Sequence, residues 1–134
     1  VEPPRTTVCI MDAWDLPNMD AGGAAEDHND ALVRATATPA EGARASRAAA
    51  CETEVRPNAV HPAWGTCCDL EGTFPVRLEV LDSDFVRAQV VGGADLDGPG
   101  ARVLALRPAG GRLRVRAQGG TGPDQGGSPS SPPP

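Results

Sequence analysis

The sequence predicts an all-β protein, an eight-stranded antiparallel β-sandwich. Three observations point there. Several segments alternate apolar and polar residues with period two, as a strand with one buried face requires. Gly and Pro together supply 30 of 134 residues and punctuate the chain at short intervals, which opposes a helical bundle. Short strands separated by such turns fit two packed sheets.

The elements follow in order. Thr6–Ala13 (TTVCIMDA) is rich in β-branched residues and reads as the first strand. Residues 15–30 hold Pro17, Asn18, Gly22, Gly23 and Asn29 and form a long loop. Ala31–Thr38 is a second strand, stopped by Pro39. Ala40–Ala50 has helical composition interrupted by Gly42, so it is a short helix or a loose connection. Cys51–Val55 is a short strand, and Arg56–Gly65 is a turn-rich link. Val76–Asp82 puts Val76, Leu78 and Val80 on one face, Arg77 and Glu79 on the other. Arg102–Leu106 is a further strand. Arg112–Ala117 closes the fold, with Leu113, Val115 and Ala117 inward and Arg112, Arg114 and Arg116 outward. The domain therefore spans residues 5–118, and residues 119–134 (GGTGPDQGGSPSSPPP) read as a Gly/Pro/Ser-rich linker or tail. The chain opens at Val1 rather than Met, which reads as a processed or excised segment.

Composition excludes several functions. No apolar run reaches the length of a membrane-spanning helix. A sequence pI near 4.8 opposes a general nucleic-acid binder. The net charge of −6 is localised. Residues 1–30 carry Glu2, Asp12, Asp15, Asp20, Glu26, Asp27 and Asp30 against Arg5 alone, and the rest of the chain is balanced. Such a segment is either a solvated acidic loop or part of a site for a hard cation, since Ca²⁺ takes carboxylate and carbonyl oxygens. Asp82 and Asp84 form a D-x-D pair where the best strand ends, and Asp95 follows in the same loop. Turns favour Asp for their own reasons. Two acidic loops at one end of a sandwich are more specific than either alone.

These residues resemble the C2 domain, a β-sandwich module of Ca²⁺-dependent membrane-binding proteins. Val8–Gly23 (VCIMDAWDLPNMDAGG) is similar to the family's opening strand and loop, through the A-x-D-L-P-x-M-D-x-G-G pattern. Asp30-Ala-Leu-Val-Arg-Ala resembles S-D-P-Y-V-K-V, with Ala31 for Pro and Leu32 for Tyr. Thr53-Glu-Val and Asn58-Ala-Val-His-Pro-Ala-Trp64 resemble T-K-V and x-T-L-N-P-x-W. Val76–Asp84 resembles L-x-I-E-V-x-D-x-D, Asp95-Leu-Asp-Gly98 resembles D-x-x-G, and Gly111-Arg-Leu-Arg-Val resembles G-x-L-x-L. The order of the elements resembles the circularly permuted type II topology.

The resemblance implies five Ca²⁺-ligating aspartates, Asp20, Asp30, Asp82, Asp84 and Asp95, holding two ions. Both acidic loops are longer than the family pattern, so Glu26 or Asp27 is an alternative ligand. It further implies docking to anionic phospholipid as the targeting module of a larger protein, with Phe85, Val86, Arg87, Val90 and Val91 touching the membrane. The alternative for Phe85, Val86, Val90 and Val91 is a continuing strand with core contacts. The implied location is cytoplasmic and peripheral to the membrane. Two other readings stand beside it: a Ca²⁺-independent, protein-binding C2 module, and a structural extracellular β-sandwich on a Pro-rich stalk.

Cys9, Cys51, Cys67 and Cys68 lack C-x₂-C spacing, which opposes a zinc site. In the reduced context the resemblance implies, they are expected as buried thiols. His61 is expected to serve a turn. The Arg112/Arg114/Arg116 stripe is expected to be a solvated face, with attraction of phosphoinositides as the alternative. No catalytic constellation is present in the sequence, so an enzyme is not expected.

Overall fold

The computed structural model describes residues 3–17, 29–40, 42, 44, 47–83, 89–108 and 110–119. It contains nine strands among them: β1 Arg5–Trp14, β2 Ala31–Thr38, β3 Ala50–Glu52, β4 Ala63–Glu71, β5 Thr73–Asp82, β6 Gln89–Leu96, β7 Gly100–Ala105, β8 Arg107–Pro108 and β9 Arg112–Gln118. One sheet has the order β4-β1-β9-β7 and the other β3-β2-β5-β6-β8. Every pairing is antiparallel. The expected β-sandwich is observed, with nine strands among the described residues against the eight expected, β8 being only two residues long.

Alternation dictates the core. β9 alternates without a break, with Leu113, Val115 and Ala117 buried and the arginines between them exposed. Val76, Leu78 and Val80 of β5 are fully buried in the facing sheet. Val8, Ile10, Val33, Leu70 and Leu96 complete the centre of the interior. Trp64 is also inside, and its indole N–H donates to the Glu54 carbonyl at 2.9 Å, which pairs the one polar atom of the ring.

β1 departs from regular alternation. Its pairing with both neighbours shifts between Ile10 and Asp12: against β9 Met11 is an inserted residue, whereas against β4 the extra residue lies on β4. Val8 and Ile10 point inward, Met11 and Asp12 both face out, and Ala13 is inward again. A periodic reading of TTVCIMDA does not reveal this bulge.

Three elements differ from expectation: the 40–50 segment, β4 and β6. The 40–50 segment contains, among its described residues, only a 3₁₀ turn, Arg47–Ala49, because Pro39 and Gly42 leave too little uninterrupted chain for a helix. β4 was not anticipated. Gly65 and two adjacent cysteines obscure its alternation, although Trp64, Cys68 and Leu70 are its buried positions. Where the chain passes from β4 to β5, Gly72 adopts φ +141°, and a Cβ there would meet the Thr38 carbonyl oxygen at 2.6 Å. Only glycine permits that approach.

The cysteines are not thiols. Cys9 pairs with Cys67, and Cys51 with Cys68. Successive strand residues face opposite ways, so the adjacent Cys67 and Cys68 serve different partners. Cys67 is exposed and bonds Cys9, directly opposite it on β1. Cys68 is buried and bonds Cys51 on β3, joining the edge strands of the two sheets.

Candidate functional site

The connections β1–β2, β3–β4 and β5–β6 all emerge at one end of the sandwich. Register places them there. Asp82, the last residue of β5, lies opposite Ala31, the first of β2, and opposite Gln89, the first of β6. Arg56, within the β3–β4 connection, bridges to the same Ala31.

Two of the sequence-predicted aspartates meet at this tip. Asp82 is 3% exposed, and its carboxylate accepts the Asp30 backbone N–H at 2.9 Å. The Ser83 N–H donates to the Asp30 carbonyl at 2.8 Å, so the two chain segments clasp each other. The Asp30 carboxylate accepts the Asn58 N–H at 2.8 Å, which ties in the β3–β4 connection. Asn58 has φ +49°, a left-handed conformation that Asn tolerates better than most residues. The neighbouring Asn29 is buried; its side-chain amide donates to the Pro17 carbonyl at 2.7 Å, and its carbonyl accepts the Ala59 N–H at 3.2 Å. Asp30 and Asp82 are thus held on backbone that three connections brace together.

Asp20 and Asp84, the other two tip candidates, lie outside the described residues, as do Glu26, Asp27, Phe85, Val86 and Arg87. Asp95 requires a correction. It is not in a tip loop but in β6, opposite Arg77, with its carboxylate 3.3 Å from the Arg77 guanidinium. Arg77 is five positions before Asp82 on β5, which puts Asp95 about 16 Å down the sheet. The reason is that β6 begins at Gln89 and occupies most of what the D-x-x-G resemblance treats as loop. The same fact separates the two valines. Val91 is 2% exposed and belongs to the core, not to a membrane contact, whereas Val90 is 51% exposed near the tip end of β6.

Asp30 and Asp82 are neighbours at the tip, and their carboxylates are the kind of oxygen donor that Ca²⁺ takes. Asp95 does not fit a common site with them. Among the described residues no three His, Cys, Asp or Glu side chains converge as a metal cluster.

A second constellation, absent from the sequence reading, surrounds Asp12 on the outer face of the β4-β1-β9-β7 sheet. The β1 bulge turns Asp12 outward. His61 Nε2 lies 2.9 Å from Asp12 Oδ2, and Arg114 Nε lies 3.3 Å from Oδ1 as an ion pair without hydrogen-bond alignment. The Arg114 guanidinium also sits 5.0 Å from the Trp14 ring centroid, within cation–π range. His61 is therefore a partner of Asp12 as well as a turn residue. The signal was available only as D-x-W in a strand that also contains a bulge.

No protein-family model matches the chain, and neither does any curated protein by sequence. Solved structures do match by fold. A C2 domain of plant extended synaptotagmin 1, the one designated A, superposes with a TM-score of 0.69 at 19% identity, covering 87% of this chain and 95% of that one. The calcium-bound pair of C2 domains, A and B, of extended synaptotagmin 2 gives 0.70 at 15% identity, over 89% of this chain and 46% of that one. Human GIVD cytosolic phospholipase A2 gives 0.62 at 18% identity, over 88% of this chain but only 16% of the enzyme. The strand order, the three connections gathered at one tip and these superpositions agree: the chain has the fold of a C2 domain.

Proposed function

We propose that the protein is a C2-type module that docks to anionic phospholipid through its three-connection tip, in a Ca²⁺-dependent manner, as the targeting part of a larger protein. The observation that carries this reading is the clasp of Asp30 and Asp82 at that tip. Asp20 and Asp84 lie in the two adjoining connections and are the further ligands proposed. The ion count follows from four aspartates rather than five, since Asp95 is engaged by Arg77. Bound Ca²⁺ would neutralise the carboxylates and leave coordination positions for lipid phosphate oxygens. The chain's own contribution is to hold two carboxylates on braced backbone and to present the exposed Val90, near the tip end of β6, toward the bilayer; Phe85, Val86 and Arg87, in the preceding sequence, are the further contacts proposed. The order in which the strands enter and leave the tip supports the permuted type II arrangement.

The test is co-sedimentation of the full chain with phosphatidylserine vesicles, in Ca²⁺ and in chelator. Pelleting that increases with Ca²⁺ is expected; equal pelleting in both rejects the reading. Asp82→Asn combined with Asp84→Asn is expected to abolish the Ca²⁺-induced rise in thermal midpoint that ligand linkage produces.

The disulfides favour a second reading. Disulfides persist in oxidising compartments and are rare in the cytosol. The two cross-links among all four cysteines therefore support a β-sandwich that works outside the cytoplasm, on a Pro-rich stalk formed by the C-terminal sequence. A thiol count under denaturing, non-reducing conditions decides. Four free thiols would sink this reading, and none would overturn the cytoplasmic location.

A further inference from the structure

The outer faces of the two sheets differ in how the arginines of their central strands are partnered. On the β3-β2-β5-β6-β8 sheet, Arg34 is 2.9 Å from Glu52 and 3.9 Å from Glu79, and Arg77 is 3.3 Å from Asp95. The charges of Arg34 and Arg77 on that face are thereby neutralised. On the other sheet, β9 turns Arg112, Arg114 and Arg116 outward in one column, with successive members about 7 Å apart. Of these three, only Arg114 has a carboxylate within ion-pair distance among the described residues, namely Asp12; elsewhere on the same sheet Arg5 of β1 pairs with Asp69 of β4 at 3.3 Å, leaving Arg112 and Arg116 as the uncompensated members of the column. Arg112 donates to its neighbour, the Gly111 carbonyl, at 3.1 Å, so no described carboxylate compensates its charge. Arg116 faces Cys9 on one side and Ala101 on the other, neither of which carries charge.

The surroundings of this column suit a phosphate group at an apolar boundary. An open recess of about 270 Å³ beside Arg116 is lined also by Thr7, Cys9, Ala117 and Gln118, so a guanidinium, a hydroxyl and an amide border one hollow. The flanking β7 column is Ala101, Val103 and Ala105, and Val103 is 55% exposed. Met11, pushed outward by the bulge, is 36% exposed on the other flank. Arg112 is level with Trp14 at the tip end of the sheet, so the column runs continuously from the tip down the face.

The geometry points to a second, Ca²⁺-independent membrane contact: Arg112 and Arg116, with Arg114 held between them by Asp12 and Trp14, bind phosphodiester headgroups of an anionic bilayer against which the outer face of the β4-β1-β9-β7 sheet lies. This rests on the reading of the protein as a membrane-docking module, but it makes its own prediction in the absence of Ca²⁺. The chain is acidic overall, yet this face presents positive charge flanked by exposed apolar side chains. Basic groups close to an anionic surface are attracted electrostatically, and salt weakens the attraction.

The test is partition of the full chain onto phosphatidylserine/phosphatidylcholine vesicles in chelator at low and high salt. Wild type is expected to bind at low salt and to detach as salt rises. Arg112→Gln with Arg116→Gln is expected to weaken low-salt partition about 25-fold, the product of about fivefold for each arginine. Arg34→Gln with Arg77→Gln makes the same change in net charge on the opposite face and is expected to bind as wild type does. Equal losses in the two variants, or no loss in the first, overturn the proposal. So does binding of an acidic polypeptide or of inorganic phosphate without vesicle partition. The increment that Ca²⁺ adds is read separately, and its absence would reject the tip reading while leaving the face contact standing.

Discussion

The two outward faces of this sandwich obey one rule and end in different electrostatics. On β5 and β9 alike, alternate residues face solvent and are charged. β5 lies between β2 and β6, whose outward positions carry the partners Arg34 and Asp95, so charges cancel across strands. β9 lies between β1 and β7, whose outward positions are Cys9, Asp12 and Trp14 on one side and Ala101, Val103 and Ala105 on the other, so its arginines accumulate. Charge on a strand therefore carries little meaning until its neighbours are known. The difference teaches that pairing, not composition, decides which face can meet an anionic surface.

The comparison can be broken most severely from beneath. Leu78 under the paired face and Leu113 under the arginine column are both fully buried. Leu78→Ala and Leu113→Ala should each cost about 2–5 kcal/mol, and denaturant titration should find the two alike. A large inequality would show that one sheet dominates the stability of the fold. The next effect is that of the cross-link between the sheets. Cys51→Ala with Cys68→Ala opens a connection whose ends are separated by 17 residues, and loop-closure entropy gives a loss of about 3 kcal/mol. The thermal midpoint should fall by on the order of 10 °C. No fall would mean that β3 and β4 hold together without the bond. The smallest effect sharpens the contrast at the surface. Arg34→Ala removes two exposed ion pairs and should cost less than about 1 kcal/mol, diminishing with salt, because solvent screens such pairs. A larger loss would show that the pairing of Arg34 is structural rather than incidental.

Much of the fold was legible from the chain because buried faces impose period two. β5 and β9 were readable nearly residue by residue, and β2 ends at Thr38, where Pro39 stops it. β6 was not readable. Its Val-Val-Gly-Gly-Ala run has no clean alternation, and its pairing with β5 is interrupted by a register shift between Val80 and Leu81. That omission displaced Asp95 and Val91 together: with β6 read as loop, both fell at the tip. Within the candidate site, Asp30 and Asp82 were visible as acids at strand ends. Their mutual clasp was not, since it depends on residues 52 positions apart sharing one edge of the sheet.

By itself, the sequence determined which residues alternate, where turns interrupt them and where the acidic surplus lies, because these are local properties of side chains and backbone. The tertiary structure decided which alternating strands became neighbours. It brought Asp30 to Asp82 and took Asp95 to Arg77, coupled each of two adjacent cysteines to a different strand, and left the β9 arginines in a column. Those outcomes depend on antiparallel register and on single-residue bulges, and one inserted residue such as Met11 changes which side chains face out beyond it.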